Sequence, residues 1–342
     1  MIKLKINERE ITAIEGQTVL EAARDAGIYI PNLCYAPDLK PYGGCRLCVV
    51  EIEKARGLPT ACTTPAAEGM IVRTDSPALT DARRAVLDLL LAEHPLDCLS
   101  CIKNQNCELQ RVAAHLGFAE RKLPHTTRVQ VIDDSNPFFK LDRNYCILCA
   151  RCVRACDEVT GNNAIELIDR GYNSRVSTVA DRPLVETNCR SCGECVAHCP
   201  VAALVPKDYV KPDGEVSTTC PYCGVGCSLI LELRNGKIVG VSGDASNPSS
   251  RGRLCVKGRF GITEFVHHPD RLKTPLIKRD GAFIETGWDE ALENVCSKLA
   301  RYKPGEVAVI ASAKATNEEN YLLQKFARAV LGTNTVDHCA RL

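Results

Sequence analysis

Nineteen of the 21 cysteines and one histidine fall into five consecutive groups, each with four potential metal ligands. Thiolate sulfur is a soft ligand that suits iron–sulfur clusters, and sets of four cysteines hold both [2Fe–2S] and [4Fe–4S] types. Five clusters along one chain would form a path for single electrons, with a donor at one end and an acceptor at the other. The spacing therefore predicts electron transfer, with zinc binding as the alternative for cysteines so arranged.

The first group has the spacing C-x10-C-x2-C-x13-C and consists of Cys34, Cys45, Cys48 and Cys62. Gly43 and Gly44 would let backbone N–H groups approach inorganic sulfur closely. Before this group, the sequence predicts a hairpin turned at Asn7-Glu8 and a helix opened by a capping box from Thr18 to Glu21. This pattern resembles the ferredoxin-like module of the complex I large iron–sulfur subunit and of iron-only hydrogenases, which implies a [2Fe–2S] cluster.

The second group, H-x3-C-x2-C-x5-C, consists of His94, Cys98, Cys101 and Cys107. A helix predicted from Thr80 to Glu93 precedes it. Alone, His94 would more often be a surface histidine, but here it completes a set otherwise one ligand short. The group resembles the [4Fe–4S] module of the same two families that is held by one histidine and three cysteines. A neutral imidazole in place of a thiolate leaves the cluster less negative, so its reduction potential should rise, as in Rieske centres.

The third and fourth groups are two copies of C-x2-C-x2-C-x3-C, the second ending in Cys199-Pro200. In two-cluster ferredoxins the fourth cysteine of each run ligates the other cluster. We therefore predict two [4Fe–4S] ligand sets, with a pair of zinc knuckles as the alternative. One set is Cys146, Cys149, Cys152 and Cys199; the other is Cys189, Cys192, Cys195 and Cys156.

The last group, C-x2-C-x3-C-x27-C, consists of Cys220, Cys223, Cys227 and Cys255. Between its third and fourth cysteines the sequence predicts a hairpin turned at Asn235-Gly236. With Val256-Lys257-Gly258, the group resembles the N-terminal [4Fe–4S] domain of molybdenum or tungsten enzymes that carry two pyranopterin guanine dinucleotides (bis-MGD). The resemblance implies that Lys257 lies between the cluster and a pterin; as an isolated residue it would more often be a surface lysine.

Beyond the last cluster group the sequence predicts a helix from Gly287 to Ala300, a strand from Glu306 to Ala311 and a helix from Asn317 to Leu331. Cys296 lies within the first of these helices and is expected to pack in the core. Together these elements indicate the start of a βα-rich domain.

The order of all the modules resembles the first part of the catalytic subunit of a cytosolic formate dehydrogenase. In that family a segment like Asp337 to Leu342 is followed directly by the selenocysteine or cysteine that binds the metal. The resemblance implies that the chain is cut off just before this ligand, holds no catalytic residue itself, and continues through a UGA codon. Cys339 is not at the ligand position and is not assigned to the metal.

The predicted fold class is therefore a multi-module α+β protein. It combines a β-grasp ferredoxin, a histidine-and-cysteine cluster module, a two-cluster ferredoxin and the cluster domain and start of a molybdopterin oxidoreductase α/β domain. The predicted boundaries are 1–78 for the [2Fe–2S] domain, 79–118 for the histidine-and-cysteine module, 137–209 for the two-cluster ferredoxin, 213–269 for the pterin-type cluster domain and 270–342 for the start of the last domain.

Composition excludes some functions and leaves others open. With 43 basic and 42 acidic residues, nothing indicates a nucleic-acid surface. The sequence lacks an apolar run of about 18 residues and an apolar leader, which predicts a cytoplasmic protein without a membrane span.

The resemblance implies formate or CO2 as substrate at a molybdenum or tungsten bis-MGD centre of the intact protein. It also implies a flavin- and NAD(P)-binding iron–sulfur subunit, or another redox partner such as a hydrogenase or ferredoxin, near the [2Fe–2S] cluster. The alternative is a stand-alone multi-cluster electron-transfer subunit with no catalytic site of its own. A fragment of a nitrate reductase is disfavoured by the three additional N-terminal modules.

Overall fold

The computed structural model describes residues 1–126 and 128–340, and the chain divides into two compact units, Met1–Tyr209 and Val210–Leu342. Thr127, Arg341 and Leu342 lie outside the described residues. The expectation for the segment from Asp337 to Leu342 can therefore be compared with the structure only as far as Ala340.

The first unit opens with a four-stranded sheet in the order β2-β1-β4-β3, in which β1 is antiparallel to β2 and parallel to β4. Both the predicted hairpin at Asn7-Glu8 and the predicted capping box are confirmed. The Thr18 hydroxyl accepts from the Glu21 N–H at 3.3 Å, and the Glu21 carboxylate accepts from the Thr18 N–H at 2.7 Å. The elements are β1 Ile2–Ile6, β2 Arg9–Ala13, α1 Val19–Asp25, β3 Glu51–Ile52 and β4 Ile71–Arg73.

Two helices follow, α2 Pro77–Glu93 and α3 Glu108–His115. Helix α2 buries the apolar residues Leu79, Leu87 and Leu91, and two charged residues, Arg83 and Asp88, are buried with them. The Asp88 carboxylate accepts hydrogen bonds from the N–H groups of Lys122 at 2.9 Å and Leu123 at 3.1 Å. This buried carboxylate therefore fixes the loop that leaves α3.

The remainder of the first unit places two short helices between two-stranded sheets. Strand β5 pairs antiparallel with β8, and β6 pairs antiparallel with β7. A π-helical segment, Ala155–Val159, continues directly from α4. The elements are β5 Phe139–Leu141, α4 Arg151–Arg154, β6 Glu166–Ile168, β7 Arg175–Ser177, α5 Glu194–His198 and β8 Leu204–Pro206.

The second unit begins with a three-stranded antiparallel sheet in the order β11-β10-β9. The predicted hairpin is confirmed, and positive φ values of 50° at Asn235 and 74° at Gly236 suit its tight turn. Leu229, Val241 and Leu254 form the centre of a small core beneath this sheet. The elements are β9 Gly214–Thr219, β10 Ser228–Arg234, β11 Lys237–Gly243 and α6 Ile262–Val266.

The last part of this unit contains the two predicted helices. Helix α7 has no buried residue, and the expectation that Cys296 packs in a core is wrong, since Cys296 is exposed. The predicted strand is shorter than expected because Pro304–Glu306 forms a 3-10 turn ahead of it. The elements are β12 Leu276–Arg279, β13 Ala282–Glu285, α7 Trp288–Leu299, β14 Val309–Ala311, α8 Asn317–Ala329 and β15 Val336–His338.

Among the described residues, no helix combines the length and the apolar character needed to cross a lipid bilayer.

Candidate metal centres

The four thiols of the first group converge in the loops between α1 and β4. Cys34, Cys48 and Cys62 are buried, while Cys45 is half-buried. The Leu33 N–H donates to Cys45 Sγ at 3.4 Å, and the Cys45 N–H donates to Cys34 Sγ at 3.5 Å. A hydrogen bond with Cys34, together with burial, raises the pKa of Cys45, whereas a hydrogen bond with Cys62 lowers the pKa of Cys48. These mutual contacts bring the predicted [2Fe–2S] ligands together.

Gly43 and Gly44 have steric reasons to be glycine in this loop. Gly43 has a φ of +71°, and an added Cβ would lie 3.1 Å from Thr63 Cγ2. A Cβ on Gly44 would lie 2.3 Å from the Tyr42 ring, which is closer than real Cβ atoms approach. The positive φ of Gly43 and the nearby Thr63 side chain therefore disfavour a side chain at that position.

His94 immediately follows α2 in extended backbone, with φ −81° and ψ 133°. Its side chain is only 7% exposed, and its Nδ1 is buried with no hydrogen-bond partner among the described residues. Burial lowers the pKa of His94 to about 4. At neutral pH the ring is therefore the neutral imidazole, which is the form that binds metals.

His94 and the three cysteines of its group line one cavity of about 240 Å³. Much of the remaining wall is apolar, including Leu91, Leu109 and Phe118. An orphaned imidazole nitrogen and three thiols around one cavity fit the donor set of a cluster held by one histidine and three cysteines. The structure thus brings together the predicted ligands His94, Cys98, Cys101 and Cys107.

Tyr145 is a neighbour of this site that sequence reasoning missed. Its ring meets the His94 ring edge to face, with centroids 5.8 Å apart, and its hydroxyl donates to Asp97 at 2.5 Å. Tyr145 also directly precedes Cys146, the first ligand predicted for the next group. The only signal in the sequence was this adjacency, which does not reveal a contact with His94.

The two ferredoxin-like runs share one backbone geometry. Leu148 and Ser191 occupy the same position in each run and both have a φ of +53°. In both runs the N–H of this residue donates to the preceding cysteine, to Cys146 Sγ and to Cys189 Sγ, each at 3.4 Å. A donated N–H stabilises a thiolate, so each copy prepares its first cysteine for a metal.

The fourth cysteines lie with the opposite runs. Cys156 lines the same cavity as Cys189, Cys192 and Cys195, the ligand set predicted for the second cluster. Burial raises the pKa of the Cys146 thiol to about 11, and the Cys199 thiolate adds to that rise. Burial and then the Cys199 thiolate likewise raise the pKa of Cys149. The geometry therefore brings together both predicted sets, each with its exchanged cysteine.

The last group lies in the second unit, with Cys220, Cys223 and Cys227 in the loop between β9 and β10 and Cys255 after β11. The Cys220 N–H donates to the Cys227 carbonyl at 2.8 Å and closes the loop before β10. Burial, followed by the charges of Cys255 and Cys223, raises the pKa of Cys220. These interactions place the four predicted ligands around one region, in which Cys220 is buried and Cys255 exposed.

Lys257 begins a π-helical segment, Lys257–Gly261, two residues after Cys255. Its side chain is exposed in the described chain. An added Cβ on the next residue, Gly258, would lie 3.7 Å from Cys220 Sγ, so this segment passes close to the predicted cluster ligands. The role of Lys257 beside a pterin remains a prediction.

The zinc alternative requires ligands packed around one ion. Within the described part of the chain, no three His, Cys, Asp or Glu side chains lie close enough to hold a single metal ion. A zinc ion holds four ligands at about 2.0 to 2.3 Å, whereas the ligands of a polynuclear cluster surround several iron and sulfur atoms. The zinc and cluster alternatives are therefore distinguished by the metal content of the purified protein.

Five family models match the chain in the order of the predicted modules. They are the 2Fe-2S iron-sulfur cluster binding domain over 1–77, the NADH-ubiquinone oxidoreductase-G iron-sulfur binding region over 83–122, and the ferredoxin-like domain of NADH-quinone oxidoreductase subunit 3 over 136–205. The molybdopterin oxidoreductase Fe4S4 domain follows over 213–268, and the molybdopterin oxidoreductase family over 271–342.

Three curated proteins that are similar to this chain are named as oxidoreductases or as a putative dehydrogenase. A G-type subunit of NADH-quinone oxidoreductase from Rhizobium meliloti is 40% identical over 348 residues, and the alpha subunit of NADPH-Fe(3+) oxidoreductase of Geobacter sulfurreducens is 38% identical over 347 residues. Both matches span 100% of this chain and 40% of the relative. A putative formate dehydrogenase of Bacillus subtilis is 32% identical over 392 residues, with 99% of this chain and 40% of the relative covered. The chain thus spans about 40% of the length of these relatives.

A solved structure is also similar. A chain of an NAD+-reducing [NiFe]-hydrogenase matches 60% of this chain and 87% of its own length, at 37% identity and a TM-score of 0.55.

The fold, the converging thiols and the matches to family models together define an iron–sulfur electron-transfer protein with 2Fe-2S and 4Fe-4S domains. More particularly, the chain combines iron–sulfur modules similar to those of the G-type subunit of NADH-quinone oxidoreductase with domains that match the molybdopterin oxidoreductase family models.

Proposed function

We propose that this chain carries single electrons through one [2Fe–2S] and four [4Fe–4S] clusters within a larger oxidoreductase. The observation that carries the proposal is the convergence of the five ligand groups. The strongest case is the buried His94, which shares one cavity with three thiols and whose Nδ1 has no hydrogen-bond partner among the described residues. The proposed ligand sets are those predicted from the sequence, including the exchange of Cys156 and Cys199.

When bound, iron–sulfur clusters supply one-electron redox chemistry over a wide range of potentials. The chain's own groups prepare the sites. The N–H groups of Leu33, Leu148 and Ser191 donate to cysteine sulfur and favour the thiolate that binds iron. Apolar walls such as Leu91 and Phe118 limit water at the His94 site, and solvent access is one determinant of cluster potential.

For the larger protein we propose oxidation of formate to CO2, or the reverse, at a molybdenum or tungsten bis-MGD centre. Oxidation releases CO2, one proton and two electrons, which the clusters would carry one at a time. Lys257 would then lie between the last cluster and the pterin. The match to a putative formate dehydrogenase supports this assignment.

A second candidate is an NAD(P)H-linked electron-transfer subunit without formate chemistry. The relatives named for NADH and NADPH oxidoreductases are 40% and 38% identical, above the 32% of the formate dehydrogenase relative. In either case we propose a flavin- and NAD(P)-binding partner subunit near the [2Fe–2S] cluster.

Iron content tests the cluster assignment. After anaerobic reconstitution to saturation, we expect about 18 iron atoms per chain, because one two-iron and four four-iron clusters are proposed. Iron and acid-labile sulfide are measured by chemical assay and zinc by elemental analysis. Saturation near ten iron atoms, or zinc in place of iron, would contradict the five-cluster proposal.

Substrate dependence separates the two candidate functions. The larger protein, purified anaerobically from its host, is expected to reduce a viologen dye with formate. The same preparation is assayed with NADPH and NADH, and without substrate. NAD(P)H-dependent reduction with no formate-dependent rate would exclude the formate assignment and favour the second candidate.

A further inference from the structure

Arg83 lies on α2, but it reaches into the loops that hold the predicted [2Fe–2S] ligands. Its side chain is 3% exposed. Its guanidinium donates to three backbone carbonyls, from Nε to Leu47 O at 3.1 Å, from Nη2 to Val49 O at 2.7 Å and from Nη1 to Thr74 O at 2.9 Å. Leu47 and Val49 are the two neighbours of Cys48 in the chain. The cation therefore holds the backbone on both sides of a predicted ligand.

A buried guanidinium is costly unless a negative charge compensates it. All three of its acceptors are neutral carbonyls, and among the described residues no carboxylate lies within ion-pair distance of Arg83. Burial lowers the pKa of Arg83, and the Cys48 thiolate opposes this more strongly than Asp75 does. The contacts with both chain neighbours of Cys48 place the cation beside the ligand loop, so the ligand thiolates are the compensating charge that the fold offers.

Leu47 connects Arg83 to a second ligand. It lies between Cys45 and Cys48 in the chain, and its carbonyl accepts from Arg83. Arg83 thus fixes the peptide segment that joins Cys45 to Cys48. A positive charge held this way is fixed in position, unlike a mobile surface lysine.

We propose that Arg83 is the buried counter-charge of the [2Fe–2S] cluster held by Cys34, Cys45, Cys48 and Cys62, and that it raises the reduction potential of this cluster. The inference rests on the proposed cluster. Reduction takes up one electron and adds one negative charge to a group already made anionic by four thiolates. A fixed positive charge nearby stabilises the reduced form more than the oxidised form.

The test is the midpoint potential of the [2Fe–2S] cluster, followed by electron paramagnetic resonance in a redox titration of the reconstituted chain. Arg83→Gln removes the charge and keeps an amide that can donate to a carbonyl. Loss of a unit charge about 10 Å from the cluster, at an effective dielectric constant of about 20, should weaken the reduction equilibrium roughly tenfold. For a one-electron couple this corresponds to a fall of about 59 mV in the midpoint potential. We expect the potential to fall by at least this amount.

Arg84 provides a matched control on the same helix. It is exposed, and its Nε donates to Leu116 O at 2.9 Å, away from the [2Fe–2S] loops. Arg84→Gln makes the same change in net charge and should leave the potential near that of the unaltered chain. Equal potentials for Arg83→Gln and Arg84→Gln would overturn the inference. An unaltered chain with no [2Fe–2S] signal would instead overturn the proposed cluster.

If Arg83→Gln does not assemble its [2Fe–2S] cluster, Arg83→Lys tests whether the charge at this position acts on the cluster potential. A buried lysine loses its charge at a lower pH than an arginine. The potential of this variant should therefore fall as pH rises, relative to the unaltered chain and to Arg84→Lys. A potential of Arg83→Lys that follows pH in the same way as both controls would show that the charge at this position does not act on the cluster.

Discussion

Replacement of Cys156 by alanine is expected to remove the same cluster as replacement of Cys189, although the two cysteines belong to different runs of the sequence. Cys156 shares a cavity with Cys189, Cys192 and Cys195. Without its fourth thiolate this [4Fe–4S] site cannot be completed, so we expect a loss of about four of about 18 iron atoms per chain. Iron assays and electron paramagnetic resonance of the reduced protein measure the loss.

Comparison among variants makes this prediction specific. Cys156→Ala should give the spectrum of Cys189→Ala, and Cys199→Ala should give that of Cys146→Ala. Cys296→Ala is the control, because Cys296 is exposed on α7 and belongs to no ligand group. If Cys156→Ala instead gave the spectrum of Cys146→Ala, each run would hold its own cluster and the exchanged sets would be wrong.

Local patterns in the sequence predicted local structure well. The capping box at Thr18 and the turn at Asn235-Gly236 are confirmed because each depends on hydrogen bonds and dihedral angles within a few residues. The expectation that Cys296 is buried was wrong because burial depends on contacts between elements and not on local sequence. Periodicity places an apolar side chain on a helix face, but burial also needs an element packed over that face, and α7 has no buried residue.

Long-range contacts around the candidate sites could not be predicted from spacing. Arg83 is four residues from Leu87 and so shares a helix face with it, yet nothing local identifies Leu47 and Val49 as its acceptors. Tyr145 meets His94 only because the two modules fold against each other within the first unit. The predicted ligand sets thus come from spacing alone, whereas the surroundings that would set the cluster potentials depend on tertiary structure.

His94 is the residue whose replacement should separate ligation from packing most clearly. His94→Ala removes the only nitrogen donor of its group and leaves three thiols around a cavity of about 240 Å³. We expect this variant to lose about four iron atoms per chain and to keep the other clusters. Loss of the buried ring alone would reduce stability but would not remove one cluster selectively.

His94→Cys should keep this cluster and lower its potential. A thiolate completes the four ligands, but it adds a negative charge that a neutral imidazole does not carry, and added negative charge opposes reduction. Burial already holds the pKa of His94 at about 4, so the imidazole it replaces is neutral at neutral pH. The midpoint potential, followed by electron paramagnetic resonance, should therefore fall relative to the unaltered chain.

His115→Ala and His115→Cys are the matched controls, since His115 is an exposed histidine at the end of α3 and packs edge to face on Tyr29 with ring centroids 4.7 Å apart. Both should leave iron content and potentials unchanged. Unaltered spectra in His94→Ala and His94→Cys would show that the buried imidazole is a packing residue. The orphaned Nδ1 would then need another partner, because an unsatisfied polar atom in the interior costs about 1 to 3 kcal/mol.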